Sequence, residues 1–142
     1  MKKFLVALIF TAFPMLTFGQ ECSNEYPEVF ERFFEHFSTN TAFALSRTRL
    51  PLQKLKWEYG IDEKGNDSSA PEKSTIFRDD YISWPSLAAY MEKNGLAIIR
   101  RRKNGRDMVV DINKESTDWL FSYHFKMESG CWYFWQYEDQ SL

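Results

Sequence analysis

The chain has 142 residues, of which 18% are aromatic and 27% are charged, and its formal net charge is −2 at pH 7. This length suits one domain better than several. The mildly acidic balance argues against a nucleic-acid-binding protein, which would need a basic face.

Residues 1–19 have the features of a secretory signal peptide. Two lysines supply the positive start, an apolar run over residues 4–13 follows, and small residues stand near Gly19. The apolar run is too short to span a bilayer of ordinary thickness. We therefore expect cleavage after Gly19 and export to the periplasm or out of the cell.

The mature chain is then residues 20–142, which we expect to form a single domain without a stable membrane anchor. The signal peptide carries two of the 18 basic residues and none of the 20 acidic ones, so the mature net charge becomes −4. An uncleaved anchor or a lipidated Cys22 is the alternative. Glu21 argues against lipidation, which requires a small residue at that position.

The chain has two cysteines, Cys22 and Cys131. Disulfides persist in the oxidising compartments to which a signal peptide leads, so a bridge from the mature N-terminus to the end of the chain is one interpretation. The other is two unpaired thiols, with Cys131 buried as a small hydrophobic residue. Sequence spacing alone does not establish the geometry of a bridge.

Four phenylalanines at helical spacing predict the first helix and its buried stripe. Ser23 or Asn24 is the expected N-cap, with Pro27 in the first turn. The stripe is expected to cover the aromatic face of a sheet. Its members are Phe30, Phe33, Phe34 and Phe37.

The middle of the chain favours short strands joined by polar loops. We predict extended segments at residues 43–52 and 55–61 and a surface loop at residues 62–74. Residues 76–82 fit either a strand or a helix. A second helix is expected to start at Ser83 and to end with a left-handed cap at Asn94-Gly95.

Two hairpins are predicted at the end of the chain. The first spans residues 96–113 and turns at Asn104-Gly105, a sequence that two-residue hairpin turns favour. In that register Arg102 pairs with Asp107. One face is then apolar and the other is charged.

The second hairpin spans residues 119–138 and turns through the three residues Glu128-Ser129-Gly130. This register collects aromatic side chains on one face, which must be covered by helices or bind a ligand. The pairs predicted on that face are Met127 with Cys131, Phe125 with Tyr133, Tyr123 with Trp135, and Phe121 with Tyr137. Helices followed by antiparallel strands predict an α+β fold, with a curved antiparallel sheet of four to six strands covered by N-terminal helices.

The region from Phe30 to Leu52 resembles a known family. The phenylalanine helix, followed by FALSR at residues 43–47 and LPL at residues 50–52, is similar to an exported Bacteroidetes family known only as domain-of-unknown-function family 4348. The resemblance covers nearly all of the mature chain. It implies a nuclear transport factor 2-like (cystatin-like) fold, a helix-lined cone over a curved antiparallel sheet. It also implies a concave pocket, without an established activity or ligand.

The sequence predicts no catalytic residues, no metal site and no cofactor. It contains no glycine-rich phosphate loop, no paired-cysteine metal spacing and no serine elbow. His36 lies on the outer face of the first helix, where solvent exposure is favoured. His124 lies in the middle of a strand with Asp118 too far along the same strand to contact it, which disfavours a role as catalytic base.

Arg47 and Arg49 are predicted on one strand face. Together they could clamp a carboxylate in a pocket, because a guanidinium group matches a carboxylate with two hydrogen bonds. The favoured alternative is surface ion pairing with Glu31, Glu35 or Asp79.

The leading hypothesis is a non-catalytic binding module for a small molecule, a glycan or a peptide, with an aromatic-lined pocket. Trp132 is the candidate for an exposed stacking platform. The alternative is an interaction protein that forms a homodimer or docks a partner through its sheet face, and an enzyme of unknown class is third. The residues expected to line the pocket are Arg49, Trp57, Trp119, Tyr123, Trp135 and Tyr137.

Overall fold

The computed structural model describes residues 22–142. The predicted signal peptide and its cleavage site before Gln20 lie outside the described residues. Within residues 22–142, no helix has both the length and the apolar character needed to cross a membrane. The elements in chain order are α1 (Phe30–Thr39), α2 (Thr41–Ser46), β1 (Thr48–Ile61), β2 (Asp67–Ile76), α3 (Arg78–Ile82), α4 (Leu87–Asn94), β3 (Leu96–Asn104), β4 (Asp107–Lys114), β5 (Leu120–Glu128) and β6 (Cys131–Asp139).

The strands form one curved, open sheet of six strands in the order β2-β1-β6-β5-β4-β3. The neighbours are antiparallel except β1 and β6, which run parallel. The predicted α+β class and strand number are confirmed. The parallel pair was not predicted, because nothing local in a sequence says which distant strand a segment will join.

The α1 phenylalanines form the centre of the core, and all four are buried, as the stripe predicts. The ring of Phe37 meets that of Phe125 on β5 edge to face at 5.1 Å and that of Phe134 on β6 at 5.5 Å. Each buried phenylalanine contributes about 1.5–3 kcal/mol of gross stabilisation, and edge-to-face geometry adds to it. We call the sheet face that α1 covers the inner face.

The predicted N-cap of α1 at Ser23 or Asn24 is wrong. The helix begins at Phe30, and its N-cap, Val29, makes no side-chain capping bond. Val29 has an extended backbone, so the helix starts after it and Pro27 is not part of the first turn. Residues 22–29 instead contact the β5–β6 turn.

Residues 22–29, which we call the N-terminal segment, are fastened to the β5–β6 turn. Cys22 and Cys131 form a disulfide with their Cα atoms 5.2 Å apart. Of the two interpretations of the cysteines, the structure therefore has the bridge. The backbone amide of Glu28 also donates to the carbonyl of Gly130 at 2.8 Å. The segment thus belongs to the end of the hairpin rather than to the helix.

The predicted extended segment from residue 43 is wrong over its first part. Thr41–Ser46 is the helix α2, because the side chain of Asn40 caps it by accepting from the amide of Phe43 at 2.9 Å. The two predicted strands that follow form one continuous strand, Thr48–Ile61. Alternation of side chains therefore runs through Pro51 and decides which β1 residues reach the inner face.

The predicted surface loop at residues 62–74 is also wrong, since Asp67–Ile76 forms the edge strand β2. All of its residues are exposed except Ile76, which is partly buried. An edge strand that is solvated on both faces shows no apolar alternation, so its sequence looks like a loop. The connection to β1 is a tight turn in which the Asp62 carboxylate accepts from the amide of Asn66 at 2.9 Å.

The ambiguous residues 76–82 resolve into the end of β2 and the helix α3. The next helix, α4, starts later than the predicted Ser83, because Ser86 is its cap and accepts from the amide of Ala89 at 3.3 Å. It ends at Gly95 in the left-handed conformation, as predicted.

The predicted register of the first hairpin is wrong by two residues, since the partner of Arg102 is not Asp107. Asn104 pairs with Asp107, so the turn residues are Gly105-Arg106 and Arg102 lies opposite Val109. Gly105 has φ 60, and glycine at the first central position suits a type II′ turn. Either turn is compatible with the sequence, and only the packing of the strand selects between them.

The predicted register of the second hairpin is wrong as well. Its turn has two residues, Ser129-Gly130, both with positive φ, as in a type I′ turn. Phe125 therefore pairs with Phe134, and the register shifts before Tyr123 pairs with Tyr137. This shift is a bulge, an extra residue on β6 that returns Tyr137 to the inner face.

Candidate functional site

A cavity of about 490 Å³ lies between α2, the α3–α4 region and the inner face of β1, β5 and β6. This volume is within the usual range of small-molecule sites, about 300–1,000 Å³. Its walls are mostly apolar. Aromatic side chains supply much of the lining, namely Phe37, Tyr81, Trp84, Tyr90, Tyr123 and Tyr137.

The helical wall of the cavity is held by Tyr81 and Trp84. Their ring centroids are 5.1 Å apart, and Trp84 meets Tyr137 edge to face at 5.8 Å. The hydroxyl of Tyr81 shares a hydrogen bond of 3.0 Å with that of Thr48, which also donates to the carbonyl of Ala44 at 2.7 Å. The start of β1 is thereby joined to both α2 and α3.

The sheet wall is formed by Tyr123 and Tyr137, which pair across β5 and β6 with ring centroids 5.4 Å apart. Among the described residues, the hydroxyls of Tyr90, Tyr123 and Tyr137 have no protein hydrogen-bond partner. They are not sealed inside the protein, since Trp135 Nε1 is the sole sealed side-chain polar atom without a partner in this part of the chain. The three hydroxyls are therefore available to whatever occupies the cavity.

Burial raises the pKa of Tyr123 and Tyr137, and neighbouring tyrosines raise it further. Burial also raises the pKa of Tyr90, with the charge of Asp139 as a second cause. A phenol of ordinary pKa is already protonated at neutral pH, and these shifts extend that protonated range to higher pH. Each can donate a hydrogen bond into the cavity.

Lys54 brings a positive charge to the same space. It lies on β1 directly beside Tyr137 of β6, and its half-buried side chain lines the cavity. The other lining residues of the cavity are uncharged. Within residues 22–142, no carboxylate approaches Lys54 closely enough for an ion pair.

Comparison with known proteins identifies the fold. No protein-family model matches the chain, and no curated protein matches it. A nuclear transport factor 2-like protein of Bacteroides fragilis superposes with a TM-score of 0.56 at 19% identity, covering 82% of this chain and 48% of that one. The chain has the nuclear transport factor 2-like fold. It spans about half the length of that Bacteroides fragilis protein.

Two further solved structures are similar at lower scores. A DUF4783 family protein of Bacteroides uniformis has a TM-score of 0.46 at 8% identity, covering 81% of this chain and 98% of that one. A nuclear transport factor 2-like protein of unknown function from Cytophaga hutchinsonii has a TM-score of 0.41 at 14% identity, covering 80% and 86% respectively.

Of the six residues expected to line a pocket, Tyr123 and Tyr137 line the cavity of the nuclear transport factor 2-like cone. Arg49 instead lies over the ring of Tyr133, 3.6 Å from its centroid, and forms an ion pair with Glu128. Trp57 donates its indole N–H to Glu138. Arg49 and Trp57 have odd numbers in β1 and lie on its outer face. Lys54 and the buried Leu52 have even numbers and face the core.

The remaining two expected residues also lie outside the cavity. Trp119 is 38% exposed at the start of β5 and borders a shallow surface groove. Trp135 is at the β6 bulge, 6.2 Å from the ring of His124. Simple alternation would place Trp135 beside Tyr137, and the bulge is the reason that it does not.

The structure brings in residues that the sequence analysis missed. Tyr81, Trp84 and Tyr90 come from the helical region, and Lys54 comes from β1. The spacing of Leu52 and Lys54 was a usable signal, since a lysine in phase with buried positions is unusual.

Arg47 and Arg49 do not form a joint carboxylate clamp. Arg47 precedes β1 and pairs with Glu28 at 3.1 Å, while Arg49 pairs with Glu128. The favoured alternative of ion pairing is therefore found, although the carboxylates differ from those expected. Trp132 is not an exposed platform, since it is buried against Phe30 with ring centroids 5.1 Å apart.

His124 has a carboxylate partner that the sequence analysis did not find. Its Nε2 lies 2.8 Å from the carboxylate of Glu138 on β6. The wrong hairpin register concealed this pair, because pairing Phe121 with Tyr137 leaves Glu138 beyond the reach of His124. Within the described residues, the hydrogen-bond partners of His124 include no hydroxyl or thiol that could act as a nucleophile. The pair lies on the sheet face opposite the cavity.

Proposed function

We propose that this protein is a non-catalytic binding module that takes a small molecule into the cavity between the helices and the sheet. The observation that carries the proposal is a cavity of about 490 Å³ with mostly apolar walls, to which six aromatic side chains contribute. Protein interiors are normally close-packed, so a space of this size between the helices and the sheet is a departure from ordinary core packing. Phe125 and Phe134 next to the cavity are fully buried, so the neighbouring core is well filled.

The polar groups of the cavity support the same function. Binding sites combine apolar walls with a few polar groups that fix the orientation of the ligand. Here those groups are the hydroxyls of Tyr90, Tyr123 and Tyr137 and the amine of Lys54. The size of the cavity favours a small molecule over a glycan or a peptide.

Binding can be measured with the neutral fluorescent probe N-phenyl-1-naphthylamine. Ala42 is an exposed residue of α2 that lines the cavity, so Ala42→Trp should obstruct it. Ala89 is exposed on α4 outside the lining, and Ala89→Trp is the matched control. We expect saturable binding that Ala42→Trp weakens by about tenfold or more and Ala89→Trp leaves unchanged. No saturable binding, or equal effects of the two variants, would contradict the proposal.

The proposal includes export after removal of residues 1–19 and membership of the exported family 4348. The Cys22–Cys131 disulfide supports export, because such bridges persist in oxidising compartments. The phenylalanine helix and residues 43–52 support the family. N-terminal sequencing of the protein from a periplasmic or culture-medium fraction tests this part, with Gln20 as the expected first residue.

A second candidate function is self-association or partner docking through the sheet. A shallow groove away from the cavity is bordered by exposed apolar side chains. Tyr59 is 50% exposed, Ile99 52% and Leu142 75%. Light scattering after size-exclusion chromatography separates the two. A dimer that persists on dilution and is broken by Ile99→Lys would favour the groove, whereas a monomer at every concentration would exclude a stable homodimer.

A further inference from the structure

We propose that the ligand of the cavity is an amphipathic anion, with a flat apolar body held by the aromatic walls and a carboxylate paired with Lys54. The inference rests on the proposed function and narrows it to one chemical class. It depends on the charges in and around the cavity.

Within residues 22–142, Lys54 is a half-buried cation without a counter-charge. The strongly paired arginines of the protein show the contrast, since Arg47 lies 3.1 Å from Glu28 and Arg102 lies 3.0 Å from Asp111. No such partner is present for Lys54 among residues 22–142. An ammonium group without a protein counter-charge gains most from an anion that enters the same space.

The tyrosine hydroxyls suit the same anion. A carboxylate accepts up to about four hydrogen bonds, and Tyr90, Tyr123 and Tyr137 each offer one donor. Tyrosine phenols are protonated at neutral pH, and burial raises the pKa of these three further from that range. They therefore add donors without adding negative charge to the site.

Asp139 is the carboxylate whose negative charge raises the pKa of the cavity residues Tyr90 and Tyr137. Its carboxylate does not line the cavity and accepts a hydrogen bond from the amide of Ser141 at 3.0 Å. Lys56 is its neighbour across the β1–β6 pair. The net charge presented by the lining itself is that of Lys54.

The walls define the shape of the apolar body. Trp84 stands edge to face against Tyr137 at 5.8 Å, and Phe37 closes the inner end against the core. Aromatic rings favour offset-stacked and edge-to-face partners, which a flat ring system provides. A two-ring ligand is well within the volume available.

Three naphthalene probes of nearly equal shape test the charge preference by isothermal titration calorimetry. They are 2-naphthylacetate, 2-(2-naphthyl)ethanol and 2-(2-naphthyl)ethylammonium. The proteins are the wild type, Lys54→Met and Lys126→Met, the last being an exposed lysine on the opposite sheet face. We expect the wild type to bind the acetate most tightly. Lys54→Met should weaken acetate binding by about ten- to a hundredfold, with alcohol binding retained.

The outcomes separate this inference from the proposed function. Equal binding of the acetate and the alcohol, preference for the ammonium probe, or unchanged acetate binding in Lys54→Met would overturn the anion while the binding function stands. A similar loss in Lys126→Met would also overturn it, because the effect would then reflect net charge. Absence of binding by all three probes would overturn both. Retained alcohol binding shows that Lys54→Met is folded.

Discussion

Lys54 of β1 and Tyr137 of β6 lie side by side across the parallel strand pair, and both side chains line the same cavity. The two residues are far apart in the sequence and belong to no common motif. Their contact depends on β1 joining the sheet beside the last strand. The site is therefore a product of the topology, with the helices supplying the opposite wall.

The buried tyrosines predict a loss of stability at high pH. Burial raises the pKa of Tyr123 and Tyr137 above the ordinary value of 10.0. The unfolded chain thus releases these protons at a lower pH than the folded protein, and the free energy of unfolding should fall above about pH 10, by about 1.4 kcal/mol per pH unit for each group.

Urea unfolding of Tyr137→Phe between pH 8 and pH 11 tests this effect. We expect a shallower decline than in the wild type and nearly unchanged stability at pH 7, because the Tyr137 hydroxyl has no protein hydrogen-bond partner within the described residues. Tyr26→Phe, at an exposed position, is the matched control. Identical pH profiles for the wild type and Tyr137→Phe would show that the buried hydroxyl has no such role.

The β5–β6 turn should not tolerate a side chain at Gly130. A Cβ atom there would lie 1.9 Å from the carbonyl oxygen of Ser23, and the residue has φ +82. Gly105 has φ +60 with nothing within 4 Å of a Cβ atom, so Gly105→Ala measures backbone strain alone.

We expect Gly105→Ala to lower the free energy of unfolding by about 1–2 kcal/mol and Gly130→Ala by about 3 kcal/mol or more, because the N-terminal segment must also move. Equilibrium urea unfolding measures both variants. Equal losses would mean that the N-terminal segment does not pack against the turn.

The Cys22–Cys131 disulfide should be a major source of stability. It closes a loop with a sequence separation of 109 residues, and loss of such a bridge typically costs about 2–5 kcal/mol. The double variant Cys22→Ser/Cys131→Ser should unfold at correspondingly lower urea concentration, and reduced wild type should match it. Two free thiols on Ellman titration of the denatured, unreduced protein would contradict the bridge.

Asp111 should be important for holding β3, β4 and β5 together. Its carboxylate is 1% exposed, accepts from Arg100 at 2.7 Å and from Arg102 at 3.0 Å, and also accepts from Ser122 at 2.7 Å. Asp111→Asn should cost about 1–3 kcal/mol at pH 7. Exposed Asp107→Asn should change stability by no more than about 0.5 kcal/mol.

The same carboxylate predicts an acid dependence. Burial alone would raise the pKa of Asp111, but hydrogen bonds from Arg102, Ser122 and Arg100 outweigh it and lower the pKa below 3.8. The unfolded chain therefore takes up this proton first as the pH falls, and the stability contributed by Asp111 is lost below about pH 4. Asp111→Asn should flatten the acid limb of the stability curve, and an unchanged limb would count against this contribution.

Much of the fold was accessible from local patterns. The phenylalanine spacing of α1 predicted its buried face, the Asn94-Gly95 cap predicted the end of α4, and the turn-rich C-terminal half predicted paired strands. These features depend on the chemistry of a few neighbouring residues. The α+β class follows from them.

The candidate site was less accessible, because strand alternation has to be counted from the right starting point. The bulge at Trp135 reverses the phase of β6, so Trp135 was assigned to the face on which Tyr137 lies. The edge strand β2 and the helix α2 were also not predicted from local sequence patterns. Tyr81 and Lys54 line the same cavity only after those elements are in place.

The most direct test of the binding function is to observe the cavity tyrosines themselves. With ¹³C-labelled tyrosine, NMR spectra of the protein titrated with 2-naphthylacetate report on each ring. The account predicts saturable shifts of Tyr90, Tyr123 and Tyr137, which line the cavity, without shifts of Tyr26 and Tyr59, which are exposed outside it. Shifts confined to Tyr59 would place binding in the sheet groove, and they would contradict the cavity as the binding site.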